Sequence, residues 1–256
     1  MIKSGEAFAL MTLVLFAAFV VITYYISKRG KEWYMRPIEA LEVIDESIGR
    51  SAEMGRPVMC LPGMSGLGNM LTLAGLSICG EVNERAARIG VTPVNLVSAA
   101  DTLMVMEAMV KNAFVSAEKG ELYQPGKYVY WTGSEQFAYA TYVMGTIMKE
   151  KPAAIIFVGS FLSDIMMNTE TGKRVGAIEV GGCTDTTAMA TMAMVCDSIL
   201  IGEEIYAAAA VITKDKALAG SIAGQDWAFI VTLALMTIGV ALGLAGIKLL
   251  SDLMVL

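Results

Sequence analysis

Pro62-Gly-Met-Ser-Gly-Leu-Gly68 is the stretch of this chain best equipped for chemistry. It follows a short β-prone run and precedes a long helical pattern. A Gly-rich loop so placed turns backbone N–H groups and the positive end of a helix dipole toward one point, which suits a phosphate or a carboxylate. Gly63, Ser65, Gly66 and Gly68 are therefore candidate ligand-binding residues for a small anionic ligand. The loop departs from the nucleotide fingerprints. Leu71 stands where the dinucleotide motif has Gly or Ala, the loop has no lysine, and no G-x-x-x-x-G-K-[ST] occurs. Leu67 also replaces the second Gly of a nucleophile elbow around Ser65. A tight turn with Ser65 near a helix N-terminus is the structural alternative.

Two carboxylates join the loop as ligand candidates. Asp101 follows the second β-prone run, where a dinucleotide fold has its ribose-binding acid, and it is equally placed to cap a helix beginning at Thr102. Asp185 stands in the same relation to Thr186. The other strand ends, Thr132-Gly-Ser-Glu135, Gly159-Ser160 with Asp164, and Gly202-Glu-Glu204, are also small, polar or acidic. A metal site from Asp101, Asp164 and Asp185 is conceivable, but no ligand spacing points to it, so no metal site is assigned. Histidine is absent from the chain, which excludes every Ser-His-Asp or Cys-His arrangement and imidazole ligation of zinc or haem. Cys60, Cys79, Cys183 and Cys196 form no C-x-x-C pair and sit in apolar runs, as buried reduced thiols do. No catalytic residue is assigned, the cofactor is unknown, and the balance falls against an enzyme.

The elements that position these residues repeat one theme. Short β-prone runs cover 57–61, 94–97, 128–131, 154–158, 177–180 and 198–201. Helical patterns cover 37–55, 67–89, 102–118, 135–149, 186–196 and 204–214. Strands alternating with helices predict an α/β fold with a Rossmann-like, mainly parallel sheet flanked by helices. Asn168-Thr-Glu-Thr-Gly172, between the fourth and fifth runs, reads as a turn and a possible hairpin tip. Methionines such as Met104, Met106, Met109, Met189, Met192 and Met194 recur on helix faces, as core filling or as adaptable contact surface.

The chain has 256 residues, 55% of them hydrophobic, and a mean hydropathy of +0.59. Two uncharged runs carry the excess, residues 7–27 and 227–247. Roughly 20 apolar residues rising 1.5 Å each cross a ~30 Å hydrocarbon core, so each run is expected to be a transmembrane helix, one near each end. The expected organisation is a tail at 1–6, the first span at 7–27, a basic neck at 28–36, an α/β domain at 37–226, the second span at 227–247 and a tail at 248–256. Lys28, Arg29, Lys31 and Arg36 follow the first run, whereas only Lys3 precedes it. The positive-inside bias then puts both termini outside the cell membrane and the central domain in the cytoplasm. Gly239, Gly243 and Gly246 offer a small-residue face for helix packing in the second span. Residues 37–226 hold 13 of the 19 basic and 22 of the 25 acidic residues, a balance that argues against nucleic acid as a partner. Membrane lipid and further copies of the chain are the expected partners.

Pro37-Ile-Glu-Ala-Leu through Gly49-Arg50, Glu53-Met-Gly-Arg-Pro-Val58, Pro62-Gly63 and Thr72-Leu-Ala-Gly-Leu76 resemble an uncharacterised family of bacterial and archaeal membrane proteins with a cytoplasmic domain of unknown function. The resemblance spans roughly residues 36–226. It implies the membrane-plus-α/β architecture and brings no substrate or catalytic residue with it. Two functions follow as expectations. The first is a membrane-anchored structural or scaffold protein forming a homo-oligomer at the cytoplasmic face. The alternative is a membrane-tethered sensor or accessory subunit that binds a nucleotide or small anion.

Overall fold

The computed structural model describes residues 6–31 and 33–244. The chain divides into two compact units, one formed by residues 36–213 and the other by the segments on either side.

The first unit opens with α2, Glu39–Met54, which follows the N-terminal helix α1, Glu6–Lys28. Ala40, Ile44, Ser47, Ile48 and Ser51 form the buried stripe of α2, and its acidic residues face out. Gly55 ends it in the left-handed conformation, φ 62°, returning its N–H to Ala52, as helix-ending glycines do. Six strands follow: β1 Val58–Gly63, β2 Pro93–Val97, β3 Val129–Trp131, β4 Ala154–Ser160, β5 Ile178–Cys183 and β6 Ser198–Ile201. The helices after them are α3 Met70–Ile89, α4 Ala100–Ser116, α5 Gln136–Glu150, α6 Ile165–Val175, α7 Thr186–Val195 and α8 Glu204–Thr213. Every strand pair is parallel, in the order β3-β2-β1-β4-β5-β6. β1 and β2 are buried at every residue and β4 at all but its last, as expected of strands covered on both faces. α3 packs against α4, α8 and α2 on one face, and α6 against α5 and α7 on the other.

All six strand expectations are met, and the sheet is wholly parallel. One local expectation is overturned. The Asn168–Gly172 stretch is no hairpin tip but the middle of α6, which carries the crossover from β4 to the parallel β5. Its Asn, Thr and Gly are weak helix formers, and tertiary contact overrides that weakness. Ile165, Asn168, Thr169 and Gly172 are all buried against the sheet, and Thr169 Oγ1 donates to the Ile165 carbonyl at 3.1 Å.

In the second unit α1 packs against α9, Lys216–Leu244. Both helices are long and apolar enough to cross a membrane, over Leu10–Lys28 and Lys216–Ala241. α9 begins well before the uncharged run that opens at Trp227. The two helices meet where Gly220, Gly224 and Ala228 are buried, one turn apart. A Cβ on Gly220 would stand 2.9 Å from the Thr23 carbonyl, and one on Gly224 would stand 2.8 Å from Val20 Cα. Glycine is therefore what permits this contact. Thr23 and Ser27 are buried in it, and their hydroxyls donate to the Phe19 carbonyl of α1 and the Lys216 carbonyl. Elsewhere the pair presents apolar side chains outward, among them Leu13 at 66% and Leu233 at 65% exposure.

Candidate functional site

In a doubly wound sheet the ligand crevice opens where the strand order reverses, here between the carboxyl ends of β1 and β4. The Gly-rich loop lies there. Its first glycine, Gly63, has φ +94°, and a Cβ on it would fall 2.4 Å from the backbone of Ser160. The Met64 N–H donates to the Ser160 carbonyl at 2.8 Å, and Ser65 Oγ donates to Ser160 Oγ at 2.9 Å. From the other side Gly159 approaches Pro62 so closely that a Cβ on it would lie 1.9 Å from the Pro62 carbonyl oxygen. Gly75 of α3 presses on the Val158 carbonyl in the same way, at 2.1 Å. The ends of β1 and β4 are thus held together, and against α3, by backbone-to-backbone packing.

The loop's donors are also engaged. Leu67 N–H donates to Asp101 Oδ2 at 2.9 Å, while Asp101 Oδ1 accepts the N–H of Thr102 at 2.8 Å. A Cβ on Gly66 would sit 2.8 Å from that carboxylate, so Gly66 makes room for it. The expected cap at Thr102 is corrected: α4 starts at Ala100 with Ala99 in the cap position, and Asp101 lies in the first turn. From there its carboxylate reaches across to the loop. Asn69 caps α3 by accepting from Leu71 N–H at 2.9 Å. Gly68 stands exposed, with open space where a Cβ would project.

Gly63, Ser65, Gly66 and Asp101 therefore come together around the switch point. Asp185 does not join them. It follows β5 and caps α7, accepting from Thr187 N–H at 3.0 Å and Ala188 N–H at 2.9 Å. Asp164 is buried and accepts from Gln136 Nε2 at 3.0 Å. Among the described residues no group of three His, Cys, Asp or Glu could hold a metal ion. The sequence reading passed over Gly75 and Asn69, and read Gly159-Ser160 only as a small polar strand end. The small pair closing β4 carried the signal, because a strand end that must accept another backbone at van der Waals distance has no room for side chains. Of the glycines read as a packing face, Gly243 has no heavy atom within 4 Å of its would-be Cβ, and Gly246 lies outside the described residues. Gly239 is half-buried, and the close approach of α1 to α9 falls at Gly220 and Gly224.

A second polar cluster lies under α6. Glu179 of β5 is fully buried and neither carboxylate oxygen has a hydrogen-bond partner. Burial pushes its pKa up to about 9, the nearby Lys173 opposes the rise, and Asp197 and Glu170 add to it. Its carboxyl occupies the space a Cβ on Gly172 would need. Asn168, one turn earlier on α6, is buried with its side-chain amide also unpartnered. Burial likewise pushes the Cys196 thiol up, with Glu179 close by. All four cysteines are free thiols, and Cys60 is raised by burial and by Cys79 beside it. Two open hollows lie elsewhere in this unit. One of about 300 Å³ is bordered by Tyr130, Tyr142 and Lys149, and one of about 500 Å³ by Arg36, Ile199 and Glu204.

A six-stranded parallel sheet in this order, flanked by helices and accompanied by two long apolar helices, defines a Rossmann-like α/β protein in which Asp101 is hydrogen-bonded to the Gly-rich loop at the switch point. The chain belongs to the family described as Domain of unknown function (DUF6754), which matches residues 1–254. No curated relative and no solved structure matches the chain.

Proposed function

We propose that this protein is a membrane-anchored scaffold that assembles with further copies of itself, with α1 and α9 in the bilayer and the α/β unit at the cytoplasmic face. The observation that carries this reading is the division of labour among the glycines of α9. Gly220 and Gly224 are covered by α1, whereas Gly243 is uncovered on a helix that is apolar on its exposed surface. In lipid, a small residue left open on an apolar helix favours close approach of another helix. The excess of Lys and Arg after α1 supports the orientation with both termini outside. Lipid is then the immediate surrounding of α1 and α9. The Asp101–Leu67 hydrogen bond supports the scaffold over the nucleotide- or anion-binding sensor, since a phosphate approaching that N–H would have to displace Asp101.

Crosslinking in native membranes tests the proposal. Gly243→Cys, treated with a short bis-maleimide, is expected to yield dimers beyond those of the wild type, the control for Cys196, which is half-buried where Cys60, Cys79 and Cys183 are buried. Monomers alone, together with a melting temperature raised by a nucleotide, would favour the sensor.

A further inference from the structure

Building on the self-association proposed above, we propose that the carboxyl edge of the sheet is a docking surface for the basic segment Lys28–Met35 of a second copy. All six strands are parallel, so the segments that follow them gather at one edge. That edge is apolar and exposed: Met70 at 69%, Met104 at 71%, Trp131 at 55%, Phe137 at 73% and Met166 at 53%. The Gln136–Asp164 hydrogen bond ties the starts of α5 and α6 together, which places Phe137 and Met166 on neighbouring turns. Exposed apolar surface of this kind marks a contact, and methionines let it adapt to an occupant.

Charge decides which occupant. The segments after the strands, residues 62–70, 98–104, 132–137, 161–167, 184–189 and 202–204, contain no Lys or Arg. They contain Asp101, Glu135, Asp164, Asp185, Glu203 and Glu204. Where Asp101 and Asp185 are hydrogen-bonded, their partners are backbone N–H groups, which leave the negative charge in place. Such an edge is repelled by an anionic lipid surface and attracts a basic, apolar segment. The chain supplies one. Lys28, Arg29 and Lys31 stand beside Trp33, Tyr34 and Met35, with Tyr34 at 89% exposure. The edge already accepts one cation, for Arg36 Nη2 lies 2.7 Å from Glu204 Oε1. Edge-to-segment contact is head-to-tail, so repetition closes a ring or extends a filament.

Charge exchange in the full-length, detergent-solubilised protein tests the contact, with assembly mass read by light scattering at low and moderate salt. One variant carries Glu135→Lys, the other Arg29→Glu and Lys31→Glu. Each alone is expected to weaken assembly by about tenfold or more in apparent Kd. An equal mixture of the two is expected to regain wild-type mass, because each edge then meets an opposite charge on the other chain. Phe137→Ser, at an exposed site, is expected to weaken assembly without touching charge, and it serves if a charge variant melts early. Undiminished assembly of all variants, or a mixture that fails to recover, would overturn the proposal. So would binding of the wild-type edge to anionic vesicles in place of a second copy. If Gly243→Leu alone dissolves the assembly while the charge variants do not, this docking contact is refuted and self-association stands. A monomeric wild type refutes both.

Discussion

Glu179 shows how one residue can tie stability to pH. Its carboxyl is buried beneath α6 with no partner, and burial holds its pKa near 9, against an ordinary value of 4.5. The unfolded chain releases this proton near 4.5 and the folded chain only near 9, so the folded state binds more protons across that window. Its contribution is therefore fully present below pH 4.5 and is lost as pH rises toward 9, by about 1.4 kcal/mol per pH unit at most. Glu179→Gln is expected to remove this slope and to be more stable than the wild type at pH 8, as read by denaturant unfolding across pH 5–9. Equal slopes in the two proteins would show that Glu179 is ionised when folded. None of this was legible in the sequence, where Glu179 is one acid in a short β-prone run. Asp101 was half legible: its place after β2 flagged it as a cap or a ligand residue. Its actual partner, Leu67, lies 34 residues away, beyond the reach of local pattern.

Among the elements, the strands were the most readable, because parallel strands buried on both faces write themselves as continuous apolar runs. α6 was the least readable. Its buried side is Ile165, Asn168, Thr169 and Gly172, whose composition imitates a turn, and only the sheet above it makes a helix of it. The glycines of α9 were read in part. Gly239 and Gly243 stood out because they fall inside the uncharged run. Gly220 and Gly224 have the same spacing but lie among Lys216, Gln225 and Asp226, outside the uncharged run. The structure pairs Gly220 and Gly224 with Thr23 and Val20. Gly224→Leu is accordingly expected to part α1 from α9. A cysteine pair across that contact, Val20→Cys with Ala228→Cys, should then lose its crosslink, while Gly243→Leu leaves the crosslink intact. Retention of the crosslink in Gly224→Leu would mean that the helices do not need this close approach.

At the scale of the whole molecule, the switch point brings Gly63, Gly159 and Ser160 together and ties Asp101 to the Gly-rich loop. The sheet's carboxyl edge is apolar, acidic and outward-facing, and the two long helices keep one uncovered glycine-bearing surface. On the scaffold reading proposed above, these features direct the molecule's contacts toward lipid and other copies of itself. The most direct measurement is the mass of the full-length chain, gently extracted from membranes and examined by native mass spectrometry without added ligand. A defined multimer of the 27.3 kDa chain with no bound nucleotide is the expected result. A monomer carrying a nucleotide would contradict it.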